Sequence, residues 1–223
     1  LPHRAVRAFP SRICHGAAVA TPGKKLLVGM AAIVLIAVGV VGVTLATRPP
    51  DPELANLGSV PAFQLVDERG QTFTDEALRG RVTIVSFIFT RCPDICPVTS
   101  MKMQHLQEQT FDVGDRVKLV SISIDPTYDT PERLATYATH YQADATRWRF
   151  VTGPHDKVLD LVEKGLMTSM MPVSDQNGVA KLTHRGYLVL IDPALHIRGF
   201  FEQDEPGLTA LVRGARFLAR TMM

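Results

Sequence analysis

Residues Val82–Pro97 read VTIVSFIFTRCPDICP, an apolar run that ends at a pair of cysteines. Its first eight residues, Val82–Phe89, are rich in β-branched and aromatic types and carry no charge. A short apolar run of this kind predicts a strand buried on both faces. From Pro97 to about Gln109 the sequence predicts a helix, with proline near its start, where a missing N–H costs little. In open α/β sheets, sites gather where strands end and helices begin. The two cysteines stand at such a junction.

Working outward, Val117–Ile124 (VKLVSISI) is a second run of the same type. Thr130 is placed to cap a helix that has Pro131 at its first position. Leu134, Tyr137, Ala138 and Tyr141 then recur at helical spacing. Arg149–Thr152 reads as a short strand, and Val158, Leu161 and Val162 mark a helix from about His155 to Lys164. Before the cysteines, Phe63–Val66 and Gln71–Phe73 flank Asp67-Glu68-Arg69-Gly70 as a hairpin. Near the end, Tyr187–Ile191 and His196–Phe201 form a second hairpin, turned by Asp192-Pro193. Leu208, Leu211, Val212, Ala215 and Leu218 predict a closing amphipathic helix. The expected order is β-β-β-α-β-α-β-α-β-β-α. That is an α/β domain with helices on both faces of a mixed central sheet.

The chain has 223 residues and a formal net charge of +2. Residues 1–50 hold six Lys and Arg and no acid; the other 18 bases face 22 acids over 51–223, a net −4. A mildly acidic body argues against nucleic-acid binding. Three cysteines are too few for a disulfide-built scaffold. Leu26–Ala46 is 21 residues without a charge, enough for a helix of roughly 30 Å, a bilayer's apolar thickness. Lys24 and Lys25 precede it, with Arg4, Arg7 and Arg12 behind them, and Arg48 stands alone after it. By the positive-inside rule the arm stays in the cytoplasm and the body is exported. The run is longer than the 7–15 residues of a cleaved signal's apolar region, so a retained anchor is favoured. The expected organisation is a basic arm (1–25), a single transmembrane helix (26–47), a Pro-rich solvated tether (48–60) and a folded domain (61–223). A bacterial inner membrane with the domain in the periplasm is the simplest setting. A mitochondrial inner membrane facing the intermembrane space is the alternative.

Cys92 and Cys96 admit three readings. In a helical turn, positions i and i+4 share a face, so the sulfurs can converge there. A structural disulfide is permitted in an exported domain, but so short a loop gains little from it. A dithiol redox pair normally has C-x-x-C spacing, one residue shorter. A metal site is the last: two thiolates suit Cu(I), and an added imidazole lets the same site hold Cu(II). Zinc fits less well with only three candidate ligands. Cys14, in the arm, reads as a free thiol. Among seven histidines, His3 and His15 lie in the arm. His105, His140, His155 and His196 read as surface or structural positions, and His184 lies in the loop before Tyr187–Ile191. Met167, Met170 and Met171 could offer thioethers to Cu(I), but methionines so spaced near a helix end are more often core. Arg91 is the only local cation for a peroxidatic cysteine, which makes a peroxidase the weaker enzyme reading.

Phe89–Pro97 (FTRCPDICP), Ile124–Thr136 (IDPTYDTPERLAT) and His184 followed by Tyr187–Pro193 (YLVLIDP) together resemble the Sco/SenC family. Its members are membrane-anchored copper metallochaperones with a thioredoxin-like fold. The resemblance covers most of residues 61–220, with the anchor in the expected place. It implies copper bound by Cys92, Cys96 and His184. It also implies delivery of copper to the site in cytochrome c oxidase subunit II, or maintenance of that site's cysteines in the reduced state. A thiol–disulfide oxidoreductase using Cys92 and Cys96 is the alternative. Asp94 and Asp125 match the family pattern and read as a turn former and a loop shaper. Thr183 stands where the family often has Asp, which bears on affinity rather than on ligand identity.

Overall fold

The computed structural model describes residues 23, 29–30, 33–40, 52–166 and 186–221. The chain divides into two units, Leu1–Pro50 and Asp51–Met223. In the first, residues 29–30 and 33–40 are helical. Among the described residues no helix is long and apolar enough to cross a membrane. Much of the expected anchor at 26–47 lies outside the described residues, as do Cys14, His3 and His15.

The second unit follows the expected order of elements. Strands β1 (Gln64–Asp67) and β2 (Thr72–Thr74) form the first hairpin, and β3 is Val82–Ile88. Helix α1 (Ile95–Gln109), β4 (Val117–Ser123), α2 (Pro131–His140) and β5 (Trp148–Thr152) follow. Then come α3 (His155–Leu159), β6 (Leu188–Ile191), β7 (Ile197–Phe201) and α4 (Glu205–Thr221). Where an ordinary helix is expected to run on to Lys164, the chain widens into π-helical turns over Asp160–Leu166.

The strands make one mixed sheet in the order β2-β1-β5-β4-β3-β6-β7. β3 lies parallel to β4, and β4 to β5; the hairpins at either side are antiparallel. Strand alternation sorts the core into two layers. Ile84, Ile88, Leu119, Trp148, Phe150 and Leu190 pack with Met103 and Leu106 of α1, Leu134 of α2 and Leu211 of α4. Val85, Val120, Ile122, Val151 and Val189 pack with Val158, Leu161 and Leu166 on the other face. The apolar runs in β3 and β4 therefore serve helices on both sides, which is why neither strand shows a polar face.

One expectation is corrected. The Pro-rich stretch is not a solvated tether along its whole length. Val60 is buried, and Leu54 and Leu57 pack against the core. The Leu57 amide donates to Ile197 at 2.9 Å, the Val60 amide donates to Leu195 at 2.9 Å, and Gly58 accepts from Ile197 at 2.9 Å. Leu54, Leu57 and Val60 fall three residues apart, an apolar spacing that outweighs the proline content. This segment lies along the outer side of β7, and Ser59 bridges His196.

Candidate metal centre

β3 ends at Ile88, the Cys92 amide turns back to the Phe89 carbonyl at 3.1 Å, and α1 begins at Ile95. Cys92 thus lies in the loop ahead of the helix and Cys96 is its second residue. The pair does not share a helical face, as i,i+4 spacing alone suggests. It converges by another route. The first amides of a helix have no partner within it. Asp94, just before α1, makes no side-chain cap bond. The Cys92 sulfur takes that role and accepts the Cys96 N–H at 3.5 Å. Pro97 has no amide to satisfy.

The two thiols are free and buried, with Cys92 9% and Cys96 3% exposed. Their acidities diverge. Burial opposes ionisation of Cys92, but the amides of Cys96, Asp94 and Ile95 and the Cys96 thiol outweigh it and lower its pKa. Burial pushes the Cys96 thiol up to about 12, against the Phe89 amide, with Cys92 and Asp129 adding to the rise. The two sulfurs are shifted in opposite directions, Cys92 toward the thiolate and Cys96 toward the thiol.

Asp129 is the residue that sequence reading missed. It is fully buried. Its carboxylate accepts the Thr90 amide at 3.0 Å, the Thr90 hydroxyl at 2.5 Å and the Ser123 hydroxyl at 2.6 Å. It thereby joins the carboxyl ends of β3 and β4 and anchors the cysteine loop at Thr90. Its only sequence signal is its position immediately before the Thr130 cap, whose hydroxyl accepts the Arg133 amide at 3.4 Å. Asp125 accepts from Arg91 Nε at 2.6 Å, and the Arg91 guanidinium lies 4.8 Å from the Tyr128 ring centre. Arg91 is committed to these partners, which weakens the peroxidase reading further.

Among the described residues no group of three or more His, Cys, Asp and Glu is gathered to hold a metal. Cys92 and Cys96 are together; His184, Thr183 and the three methionines at 167, 170 and 171 lie outside the described residues. The described histidines are engaged elsewhere. His105 is exposed beside Glu108 at 3.6 Å, and His196 Nδ1 lies 3.2 Å from Asp192. His140 meets the Tyr141 ring edge-on, and His155 opens α3. Two adjacent sulfurs, one with its pKa lowered, are a donor set for a soft monovalent ion.

The SCO1/SenC family model matches residues 53–217. A protein of Stutzerimonas stutzeri whose name proposes copper binding is 36% identical over 142 residues, 63% of this chain and 68% of that protein. Among solved structures, BsSco, in which a disulfide switch has been identified, has a TM-score of 0.61 at 23% identity. The match covers 78% of this chain and 98% of BsSco. Bradyrhizobium japonicum ScoI with copper bound has a TM-score of 0.55 at 22% identity, covering 72% of this chain and 100% of that one. The family model spans well over half of the sequence and the fold matches these solved structures, and the chain belongs to the SCO1/SenC family.

Proposed function

We propose that this protein is a copper chaperone that binds one copper ion through Cys92 and Cys96, with His184 as third ligand, and passes it to an acceptor in cytochrome c oxidase assembly. The acceptor we favour is the copper site of subunit II. The observation that carries the reading is the pair of free sulfurs at the start of α1, one accepting the other's backbone amide. BsSco is described as a member of the Sco family of cytochrome c oxidase assembly proteins, and the Bradyrhizobium relative is described with copper bound. Two thiolates hold Cu(I) at low coordination, leaving it open to an acceptor's ligands, so transfer proceeds by ligand exchange. The test is copper stoichiometry of the reduced protein. About one copper per chain is expected, with loss of binding in Cys92→Ser and in Cys96→Ser. His184→Ala should weaken Cu(II) more than Cu(I). A reduced protein that takes up no copper would falsify the reading.

The opposite acidities of the two thiols favour a second reading, thiol–disulfide exchange. The Cys92 thiolate attacks a partner's disulfide and forms a mixed disulfide. Cys96, once deprotonated, attacks the Cys92 sulfur and releases the partner as a dithiol. Two electrons pass to the partner, and the Cys92–Cys96 disulfide remains. Turnover by metal-free protein distinguishes this from transfer.

We also propose that residues 26–47 anchor the protein in a bacterial inner membrane with the domain in the periplasm. The uncharged run, its basic flank, and the exposed apolar side chains of helical Ile33, Leu35 and Ile36 support this. Protease digestion of the domain from the periplasmic side of spheroplasts is the check. Protection of the domain there removes the proposal.

A further inference from the structure

The two residues that precede Cys92, Thr90 and Arg91, are both gripped by the loop that joins β4 to α2. Asp129 of that loop takes the amide and the hydroxyl of Thr90. Arg91 is held twice. Its Nε donates to Asp125 at 2.6 Å, and its guanidinium lies 4.8 Å from the Tyr128 ring centre. The ion pair alone holds little, because the Arg91 side chain is 58% exposed and surface pairs of that kind are weak. The ring adds a face on which a guanidinium packs favourably.

Tyr128 is itself braced. Its amide donates to the Asp125 carbonyl at 3.0 Å, and its carbonyl accepts the Thr130 amide at 3.0 Å and Arg133 Nη1 at 2.5 Å. The Arg133 guanidinium lies 3.9 Å from the centre of the same ring. Arg133 belongs to the first turn of α2 and donates its own amide to the Thr130 cap. Its neighbour Leu134 is fully buried and fixes that turn in the core. A continuous run of contacts therefore leads from the core through Arg133, Tyr128 and Arg91 to the residue beside Cys92. Beyond it, the Cys92 sulfur accepts the Cys96 amide at 3.5 Å.

We infer that Tyr128 is a positioning residue for Cys92: its ring holds Arg91 and so keeps the Cys92 sulfur where it meets Cys96. One consequence rests on the proposed role of the two cysteines as copper ligands. A metal gains more from sulfurs already in place than from a loop it must first order, so the clamp adds to Cu(I) affinity. A second consequence needs no metal. The Cys96 amide, in the first turn of α1, has no partner within the helix. Its protection from solvent exchange depends on the Cys92 sulfur, and through it on Tyr128.

The experiment compares Tyr128→Ala and Tyr128→Phe with the parent, as reduced full-length proteins. Cu(I) affinity is measured by chelator competition, and amide hydrogen exchange of the metal-free proteins residue by residue by NMR. Tyr128→Ala should bind Cu(I) about fivefold more weakly and exchange the Cys96 amide about fivefold faster, the equivalent of about 1 kcal/mol of cation–π contact at about 1.4 kcal/mol per tenfold. The Leu119 and Val120 amides of β4 should keep their rates, which separates a loosened loop from a weakened fold. Phe keeps the ring, so Tyr128→Phe should match the parent within about twofold in both measurements. Unchanged Cys96 exchange in Tyr128→Ala would overturn the inference. So would a Tyr128→Phe as impaired as Tyr128→Ala, because the hydroxyl and not the ring would then be responsible. Equal acceleration at Leu119 and Val120 overturns it as well. Unchanged Cu(I) affinity in Tyr128→Ala, with the parent binding copper, overturns the claim that the clamp serves the metal. A parent that binds no Cu(I) removes the copper reading alone, and the Cys96 exchange rates then decide the role of Tyr128.

Discussion

The divided acidity of the two thiols leads to a prediction that needs no metal. Cys96 rises from 9.0 to about 12, while Cys92 falls below 9.0. At pH 7 the thiolate population of Cys92 then exceeds that of Cys96 by a factor of at least about 10³, the tenfold-per-unit consequence of the gap. A more basic thiolate is a better nucleophile, which returns a factor of about 15–30. The net preference for Cys92 is thus at least roughly 30- to 60-fold, since the deeper burial of Cys96 acts in the same direction. The assay is alkylation of reduced, metal-free protein with substoichiometric iodoacetamide at pH 7, followed by peptide mapping, which also separates Cys14. Label should accumulate on Cys92, with a pH–rate midpoint below 9.0. Equal or greater labelling of Cys96 would refute the claim that the α1 amides serve the Cys92 sulfur.

The same shift makes the fold sensitive to alkali. A folded-state pKa above the ordinary value contributes stability in full below pH 9.0, and that stability is lost as the pH climbs toward 12. For Cys96 the rise corresponds to roughly 4 kcal/mol. Tyr137, raised mainly by burial, acts in the same sense from about pH 10 upward; the lowered pKa of Cys92 adds stability only as the pH rises toward 9.0 and does not offset the loss above it. A urea midpoint that stays flat from pH 9 to 12 would contradict this. Arg147 is buried, and its guanidinium donates to the Gln107 and Thr110 carbonyls at 3.1 Å and to the Thr110 hydroxyl at 2.8 Å, closing the end of α1. Arg147→Ala should cost about 3 kcal/mol in equilibrium unfolding, with a loss under 1 kcal/mol counting against the contact. Asp129→Asn replaces one acceptor oxygen by an NH₂ facing the Thr90 and Ser123 donors. It should cost about 2 kcal/mol by the same measurement, and a neutral outcome would mean that the carboxylate does not hold the cysteine loop.

The order of the elements was legible because β3 and β4 are apolar on both faces and because Thr130 and Pro131 mark a helix start with local chemistry. The cysteine junction was legible for the same reason: it directly follows a buried strand. The route by which the sulfurs meet was not, since i,i+4 spacing does not say on which residue the helix begins. The roles of Asp129 and Tyr128 were invisible for a different reason. Asp129 acts on Thr90, 39 residues away, and Tyr128 on the adjoining Arg91. No local pattern marks a polar residue whose partners the sheet brings together only when it closes. The segment before Pro61 was misread because its prolines were weighed above its three apolar side chains.

That segment also governs how the sheet behaves toward other copies of itself. β7 is an outer strand, and Ile197 points both its amide and its carbonyl away from the sheet, toward Gly58 and Leu57. A chain trimmed to begin at Pro61 would leave those groups open and uncover the apolar surface that Leu57 and Val60 cover. Unpaired strand edges are templates for pairing with a second molecule. A soluble fragment that retains residues from Pro52 onward keeps its edge closed, whereas the shorter fragment invites edge-to-edge association before copper is ever added.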